Sequence, residues 1–144
     1  MTPWLPISVA LGVAAFGVSP RARLAGGAGQ DAQAPVISTM TGVYSAAQAT
    51  RGEDTYMSIC VSCHPRGTYT TPGFKATWTG RPLSELFEFV KEKMPKNDPG
   101  SLTPGEYVQA VAYLLKINDV PAGEGELPPD SEALKKIRIE MPAQ

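Results

Sequence analysis

The sequence predicts an all-α fold with about three main helices. Apolar side chains recur at the three- and four-residue spacing of a helix face in three segments, residues 46–59, 82–93 and 104–117. The last of these is introduced by Thr103-Pro104-Gly105-Glu106, which places a capping threonine three residues before a glutamate and a proline at the first helical position. A chain of 144 residues has room for one such domain with additional segments at its ends.

The first helix is predicted to begin after Ser45, whose hydroxyl suits the N-cap position, and to run toward the two cysteines. Its apolar positions are Ala46, Ala49, Tyr56 and Ile59. Gly52 falls inside this helix, where a glycine costs about 1 kcal/mol relative to alanine. Its presence there predicts that another stretch of backbone approaches at this point.

The end of the first helix leads into Cys60-Val61-Ser62-Cys63-His64. This is the spacing used for covalent haem attachment, in which two thiols form thioethers with the haem vinyl groups and the histidine binds the iron. A zinc site normally needs four Cys or His ligands, and the chain has three in all. A redox-active disulfide is expected in a βαβ setting, which the surrounding sequence does not show. The motif therefore predicts one covalently bound haem c.

The second helix is predicted to open at Pro82 and to stop at Met94-Pro95, with Leu83, Leu86, Phe87 and Val90 on its apolar face. A proline keeps the preceding residue out of the helical region, so the Met94 thioether is free to point inward. It is then the candidate for the second protein ligand of the iron. The alternatives are that Met94 only fills the core, or that Met57 is the ligand.

The third helix is predicted to end at Asn118 and Pro121. Residues 121–144 form a tail rich in Pro, Gly and Glu, with a short candidate helix from Asp130. Its apolar residues are Leu134, Ile137 and Ile139. Because these side chains would otherwise be exposed, we expect the tail to lie across the domain.

The N-terminal residues 1–34 are predicted to be a signal peptide. Trp4 to Val18 is apolar apart from one serine and is shorter than the ~20 residues of a membrane-spanning helix. Ala32-Gln33-Ala34 offers a cleavage site, after which residues 35–42 read as a flexible lead-in. Export to the periplasm, or an equivalent space, follows from this interpretation. The alternative is a retained membrane anchor.

The pattern Gly52-x-x-x-Tyr56-x-x-x-Cys-x-x-Cys-His, a later Met94-Pro95 and a final helix with Tyr113 resemble a class I cytochrome c, the bacterial mono-haem kind. The resemblance covers roughly residues 43–120. It implies a small helical domain wrapped around one covalent haem, with the first and last helices crossing where Gly52 faces Tyr113. It also implies that His64 and Met94 are the axial ligands of the iron.

The same resemblance implies three further haem contacts. A loop proline commonly accepts a hydrogen bond from the other nitrogen of the histidine, and Pro72 is the nearest one. Trp78 and Arg81 resemble the indole donor and the cation that such proteins place near the haem propionates. The alternatives are an ordinary turn proline, a core tryptophan and a surface arginine.

The predicted function is single-electron transfer between redox protein partners, a dehydrogenase or other donor and an oxidase or other acceptor, without catalysis. A net charge of −1 and the lack of basic stripes argue against nucleic acid. Membrane contact is expected only if the N-terminal segment is retained. Lys75, Lys91, Lys93 and Lys96 are candidates for docking an acidic partner surface. A haem enzyme or gas sensor with an open iron position, and a cytochrome subunit of a larger exported dehydrogenase, are the alternatives.

Overall fold

The computed structural model describes Met1 and residues 35–142, and this part of the chain is mostly helical. In order along the chain the elements are β1 (Ile37–Ser38), α1 (Ala46–Thr55), α2 (Pro72–Trp78), α3 (Leu83–Lys93), α4 (Pro104–Lys116), α5 (Ser131–Leu134) and β2 (Ile137–Arg138). A single π-helical turn, Tyr56–Cys60, extends α1, and short 3-10 turns lie at Thr39–Thr41 and Arg66–Tyr69. The predicted all-α class is confirmed.

The crossing of α1 and α4 is the central contact of the fold. Ser45 caps α1, its hydroxyl accepting a hydrogen bond from the Gln48 amide at 3.0 Å. A Cβ added at Gly52 would lie 1.8 Å from the Gln109 carbonyl oxygen and 3.1 Å from the Tyr113 Cβ. The backbone of α4 therefore approaches α1 at this glycine, as the sequence predicts.

Helices α3 and α4 follow their end signals closely. Thr103 and Glu106 form the predicted capping box, the Glu106 carboxylate accepting from the Thr103 amide at 2.8 Å and the Thr103 hydroxyl accepting from the Glu106 amide at 3.3 Å. Pro82 is the N-cap of α3, one residue before the predicted position in the first turn. The helix ends before Met94, which is extended with φ −129° and ψ 149°.

Helix α2 lies in a segment for which the sequence predicts a loop. The Thr71 hydroxyl accepts from the Phe74 amide at 3.2 Å, and Pro72 occupies the first helical position. A threonine followed by proline is a recognised helix start, so the signal was present. The seven-residue length leaves too little apolar periodicity to confirm it.

The C-terminal tail lies across the domain, as its apolar residues predict. Leu134 and Ile139 are fully buried, and Ile137 is 7% exposed. Residues 35–42 differ from the expected flexible lead-in, because β1 pairs in parallel with β2 and Thr39 is fully buried. The two strands lie about 100 residues apart in the chain, and no local pattern reveals a partner at that separation.

The core has a main cluster shared by α1, α3, α4 and the tail, and a smaller cluster of Tyr56, Tyr113 and Leu114 beside Cys60. The smaller cluster places the cysteine motif against α4. The predicted signal peptide lies outside the described residues, apart from Met1. In the part of the chain that the structure describes, no helix has both the length and the apolar character needed to cross a membrane.

Candidate haem site

The π-helical turn brings the motif residues together at the end of α1. The Val61 amide donates to the Tyr56 carbonyl at 2.9 Å, and the amides of Cys63 and His64 both donate to the Cys60 carbonyl, at 3.2 and 2.9 Å. Hydrogen-bonded turns therefore run without a break from the end of α1 through Cys60, Cys63 and His64. Single π turns of this kind are often found at functional sites.

Two tyrosines, Tyr56 and Tyr69, contact His64. The Tyr56 hydroxyl donates to the His64 carbonyl, and the Tyr69 ring lies 5.5 Å from the His64 ring, centroid to centroid. Burial, together with the nearby Tyr56 and Cys60, raises the pKa of Tyr69 to about 12. Tyr69 is therefore a neutral phenol at physiological pH, and its ring packs against the imidazole as an apolar surface.

A cavity of about 980 Å³ opens beside the motif. Of the predicted site residues, Cys60, Cys63, His64, Met94, Trp78 and Arg81 line it. The rest of the wall is largely apolar and includes Tyr69, Phe74, Leu86, Phe89, Tyr107 and Leu114. Ligand pockets range from about 300 to 1,000 Å³, so this one is large enough for a bulky cofactor. Two thiols, an imidazole and a thioether in one apolar wall fit the donor set of a covalently attached haem.

Met94 is held at the cavity by its backbone. Its amide donates to the Val90 carbonyl at 2.9 Å, and its carbonyl accepts from the Tyr107 hydroxyl at 2.7 Å. The same hydroxyl accepts from the Leu102 amide at 3.4 Å, so α4 fixes both ends of the segment that carries Met94. Met57, the rival ligand, is 44% exposed and lies outside the cavity wall, where its sulfur accepts from Arg66.

Trp78 and Arg81 occupy the two ends of a tight turn. The Arg81 amide donates to the Trp78 carbonyl at 3.1 Å, and the dihedral angles of Thr79 (φ −58°, ψ 134°) and Gly80 (φ +86°) fit a type II turn, which favours glycine at its third position. The turn sets the Arg81 guanidinium 5.4 Å from the centre of the Trp78 ring. Glu85 pairs with Arg81 at 3.4 Å, but both side chains are about half exposed, so this pair is weak.

Pro72 is the predicted site residue that the structure leaves apart from the others. It is exposed at the start of α2 and is not part of the cavity wall. In the first turn of a helix a carbonyl points along the axis toward the amide one turn later. Its predicted role as the acceptor for His64 stays a prediction that no contact supports.

The candidate docking lysines are dispersed. Only Lys96 lines the cavity. Lys75 donates to the Pro142 carbonyl at 3.1 Å, while Lys91 and Lys93 lie 3.8 Å from Glu88 and Glu92. The lysines therefore do not form a ring of free cations around the opening.

Cys60 and Cys63 are not joined by a disulfide, and the environment of Cys60 disfavours the redox-active disulfide alternative. Burial raises the pKa of the Cys60 thiol. Redox-active Cys-x-x-Cys pairs depend on a lowered thiol pKa, which supplies the attacking thiolate. In the part of the chain that the structure describes, no group of three or more His, Cys, Asp or Glu side chains could hold a metal ion.

Sequence analysis missed several residues that shape the site. Asn118 is fully buried, and its amide donates to the carbonyls of Tyr69 and Leu114 at 2.8 Å each, which ties the segment after the motif to the end of α4. Tyr107 holds the Met94 backbone. The sequence alone predicts Asn118 only as a helix end and Tyr107 only as an apolar position of that helix. Their partners lie far away in the chain, and no local signal could have found them.

A family model described as cytochrome c oxidase, cbb3-type, subunit III, matches residues 47–114, just under half of the chain. The matched segment contains the cysteine motif, Met94 and most of the α1–α4 crossing. The match supports a class I mono-haem c-type cytochrome domain in this segment. A domain of this kind binds haem c covalently and transfers electrons between redox partners. No curated protein and no solved structure matches the chain.

Proposed function

We propose that the chain is an exported one-electron carrier whose iron is ligated by His64 and Met94. The observation that carries this proposal is the position of Met94. Its side chain lines the cavity that Cys60, Cys63 and His64 also line, on a segment fixed by Tyr107. A thioether on a segment fixed in this way could stay bound to the iron in both oxidation states, and the proposal then leaves no open coordination position for a substrate.

Each part of the wall has its own role in this proposal. Cys60 and Cys63 would hold the haem through their thiols, and His64 and Met94 would supply the protein ligands of its iron. Haem c, when bound, supplies a one-electron iron couple whose potential is raised by a methionine ligand and by burial. The aromatic and aliphatic wall would exclude water, and the Trp78 indole and Arg81 guanidinium, which line the same cavity, would contact the propionate carboxylates.

The route for electrons is the open side of the cavity. Cys63 is exposed at its edge, and Phe89, also in the wall, is 47% exposed. A partner that covers this edge approaches the cofactor without any movement of α1 or α4. Electrostatic steering by the surrounding lysines is weak in this proposal, because most of them are paired or bonded to the backbone.

Substitution of Met94 tests the ligand set. The oxidised wild-type protein should show the weak far-red sulfur-to-iron absorption band, and its reduced form should bind carbon monoxide poorly. Met94→Ala should remove the band, lower the reduction potential and admit carbon monoxide. Met57→Ala is the matched control and should leave all three unchanged, because Met57 lies outside the cavity. A wild-type protein without the band that binds carbon monoxide readily would instead favour the haem enzyme or gas sensor.

Attachment and export have separate tests. Haem should be lost from Cys60→Ala/Cys63→Ala protein on acid-acetone extraction, because no thioether can form, and haem retained after extraction would contradict the attachment. N-terminal sequencing of the mature protein should begin near Pro35. Met1 found intact on cytoplasmic protein would contradict export.

The description of the matching family favours a second form of the same function, in which the domain is the cytochrome subunit of a larger exported redox enzyme. The domain would then pass electrons within a complex rather than by diffusion. Gentle solubilisation and purification from its host should then recover a second polypeptide at a fixed ratio. A free carrier would purify alone.

A further inference from the structure

We propose that the C-terminal tail positions the turn from Trp78 to Arg81 at the haem cavity, and that Arg138 acts on the haem through Arg81. This inference rests on the proposed role of Arg81 beside the propionates. It gives a function at the cofactor to residues outside the segment 47–114 that the family model matches.

The tail binds the backbone of the turn directly. The Gly80 amide donates to the Ile139 carbonyl at 2.8 Å, and the Ile139 amide donates to the Arg81 carbonyl at 2.8 Å. The Arg138 guanidinium donates to the Gly80 carbonyl at 2.5 Å. Three hydrogen bonds from two adjacent tail residues therefore hold the two turn residues that precede α3.

The turn depends on these bonds because it has little support of its own. A Cβ added at Gly80 would meet nothing within 4 Å, so the outer face of the turn is open. The ion pair of Arg81 with Glu85 is half exposed and contributes little. Trp78 anchors one end by its burial, and the Arg81 amide closes the turn onto the Trp78 carbonyl. At the other end the Arg81 carbonyl accepts from the Ile139 amide of the tail.

The tail itself is firmly seated and can act as a fixed support. Ile139 is fully buried. The next residue, Glu140, donates its amide to the Thr39 hydroxyl at 2.8 Å and accepts from that hydroxyl through its carbonyl at 2.6 Å. Thr39 is also fully buried, and β1 beside it pairs with β2. The segment around Thr39 therefore holds the tail next to Ile139, the residue that binds the turn.

The consequence at the cofactor is electrostatic. A guanidinium held at the cavity favours the reduced form of the haem, which carries one positive charge less than the oxidised form. Removing Arg81 should therefore lower the ratio of reduced to oxidised haem at a fixed potential by about two- to fivefold, the effect of one partly exposed charge interaction. If Arg138 acts by positioning Arg81, its removal should lower the ratio in the same direction.

A double-mutant cycle on the full-length holoprotein separates positioning from simple charge removal. Equilibrium redox titration should show a lower ratio in Arg81→Ala and a smaller decrease in Arg138→Ala. In the Arg81→Ala background, Arg138→Ala should add no more than Lys136→Ala does. Lys136 is the matched control, because it is an exposed cation on the same tail. Arg138→Lys should restore part of the wild-type ratio.

Hydrogen exchange gives a readout that does not depend on the haem. The Gly80 amide should exchange faster in Arg138→Ala and at the wild-type rate in Lys136→Ala. An equal shift for Arg138→Ala in both backgrounds would show a distant charge effect and would overturn the proposal. A ratio unaffected by Arg81→Ala would remove Arg81 from the site and overturn it as well. Haem content and the far-red band report independently on the carrier function.

Discussion

Gly52 sets how closely α1 and α4 can approach. The Gln109 carbonyl would lie 1.8 Å from any Cβ placed there, well inside van der Waals contact, and both obstructing groups belong to α4. Because backbone atoms in a packed helix cannot move aside as a side-chain tip can, the two helices would have to separate. The crossing carries Tyr56 and Tyr113, which pack at 5.0 Å beside the cysteine motif. This one residue therefore affects the haem site as well as the core.

Substitution Gly52→Ala should lower the free energy of unfolding by about 3 kcal/mol, the upper part of the range for overpacked cores. Chemical denaturation of the holoprotein measures the change. Gly67→Ala is the control, since its Cβ would meet nothing within 4 Å, and it should change stability by less than about 0.5 kcal/mol. Equal stability of the two variants would mean that α4 does not lie against Gly52.

Asn118 shows why part of the site could not be predicted at the level of single residues. The sequence identifies Cys60, Cys63 and His64 through their spacing, and Met94 through the proline after it. These signals are local. Asn118 acts on Tyr69, 49 positions away, through a buried hydrogen bond to its carbonyl. Nothing around Asn118 distinguishes it from an ordinary helix end, so its role appears only in the folded chain.

The elements of the fold also divide into those that a local sequence signal predicts and those that depend on distant contacts or are too short to show a pattern. Helix α4 could be predicted to the residue at its start, because its capping box is a local hydrogen-bond pattern. Helix α2 was missed because seven residues give too short a period. The pairing of β1 with β2 joins residues that are far apart in the chain, Ile37 with Ile137. Neither two-residue strand is long enough to show an alternating apolar pattern. The tail was expected to cover the domain only because its apolar residues needed burial.

The packing of α5 against α3 is one of the contacts by which the tail stabilises the domain. Leu134 is fully buried there. Leu134→Ala should therefore lower the free energy of unfolding by about 2–5 kcal/mol, the cost of deleting a buried leucine side chain. Lys135→Ala, at the next and exposed position, should have little effect. Urea unfolding followed by circular dichroism measures both, and a Leu134→Ala protein as stable as wild type would show that the tail only rests on the surface.

At the scale of the whole molecule, positive and negative side chains balance in number across the haem domain, whereas several tyrosine side chains are buried. Between Val43 and Val120 there are eight Lys or Arg and eight Asp or Glu residues, and the ion pairs are largely exposed, so they contribute little to stability. Three tyrosines, in contrast, have pKa values raised by burial: Tyr44, Tyr56 and Tyr69. These tyrosines should therefore make the stability of the molecule depend on pH on the alkaline side.

Stability should fall as the pH rises above about 10, the ordinary tyrosine pKa. Over that range the unfolded chain releases phenolic protons that the folded protein retains up to the raised values, about 12 for Tyr69. The folded state then binds more protons than the unfolded state, so the free energy of unfolding decreases with pH. Below pH 10 both states keep these protons, and the tyrosines add no pH dependence.

Tyr44→Phe isolates one of these groups without touching the haem cavity, whose wall does not include Tyr44. Its hydroxyl donates to the Val120 carbonyl at 2.6 Å, so the variant loses a constant amount of stability at every pH. It also loses one buried phenol, and urea titrations from pH 8 to 11 should show a shallower alkaline decline than in wild type. Lysine deprotonation near pH 10.4 weakens the exposed ion pairs equally in both proteins and cancels in the comparison. Parallel declines in the two proteins would show that Tyr44 ionises alike in the folded and unfolded chain, and would leave the alkaline transition to other groups.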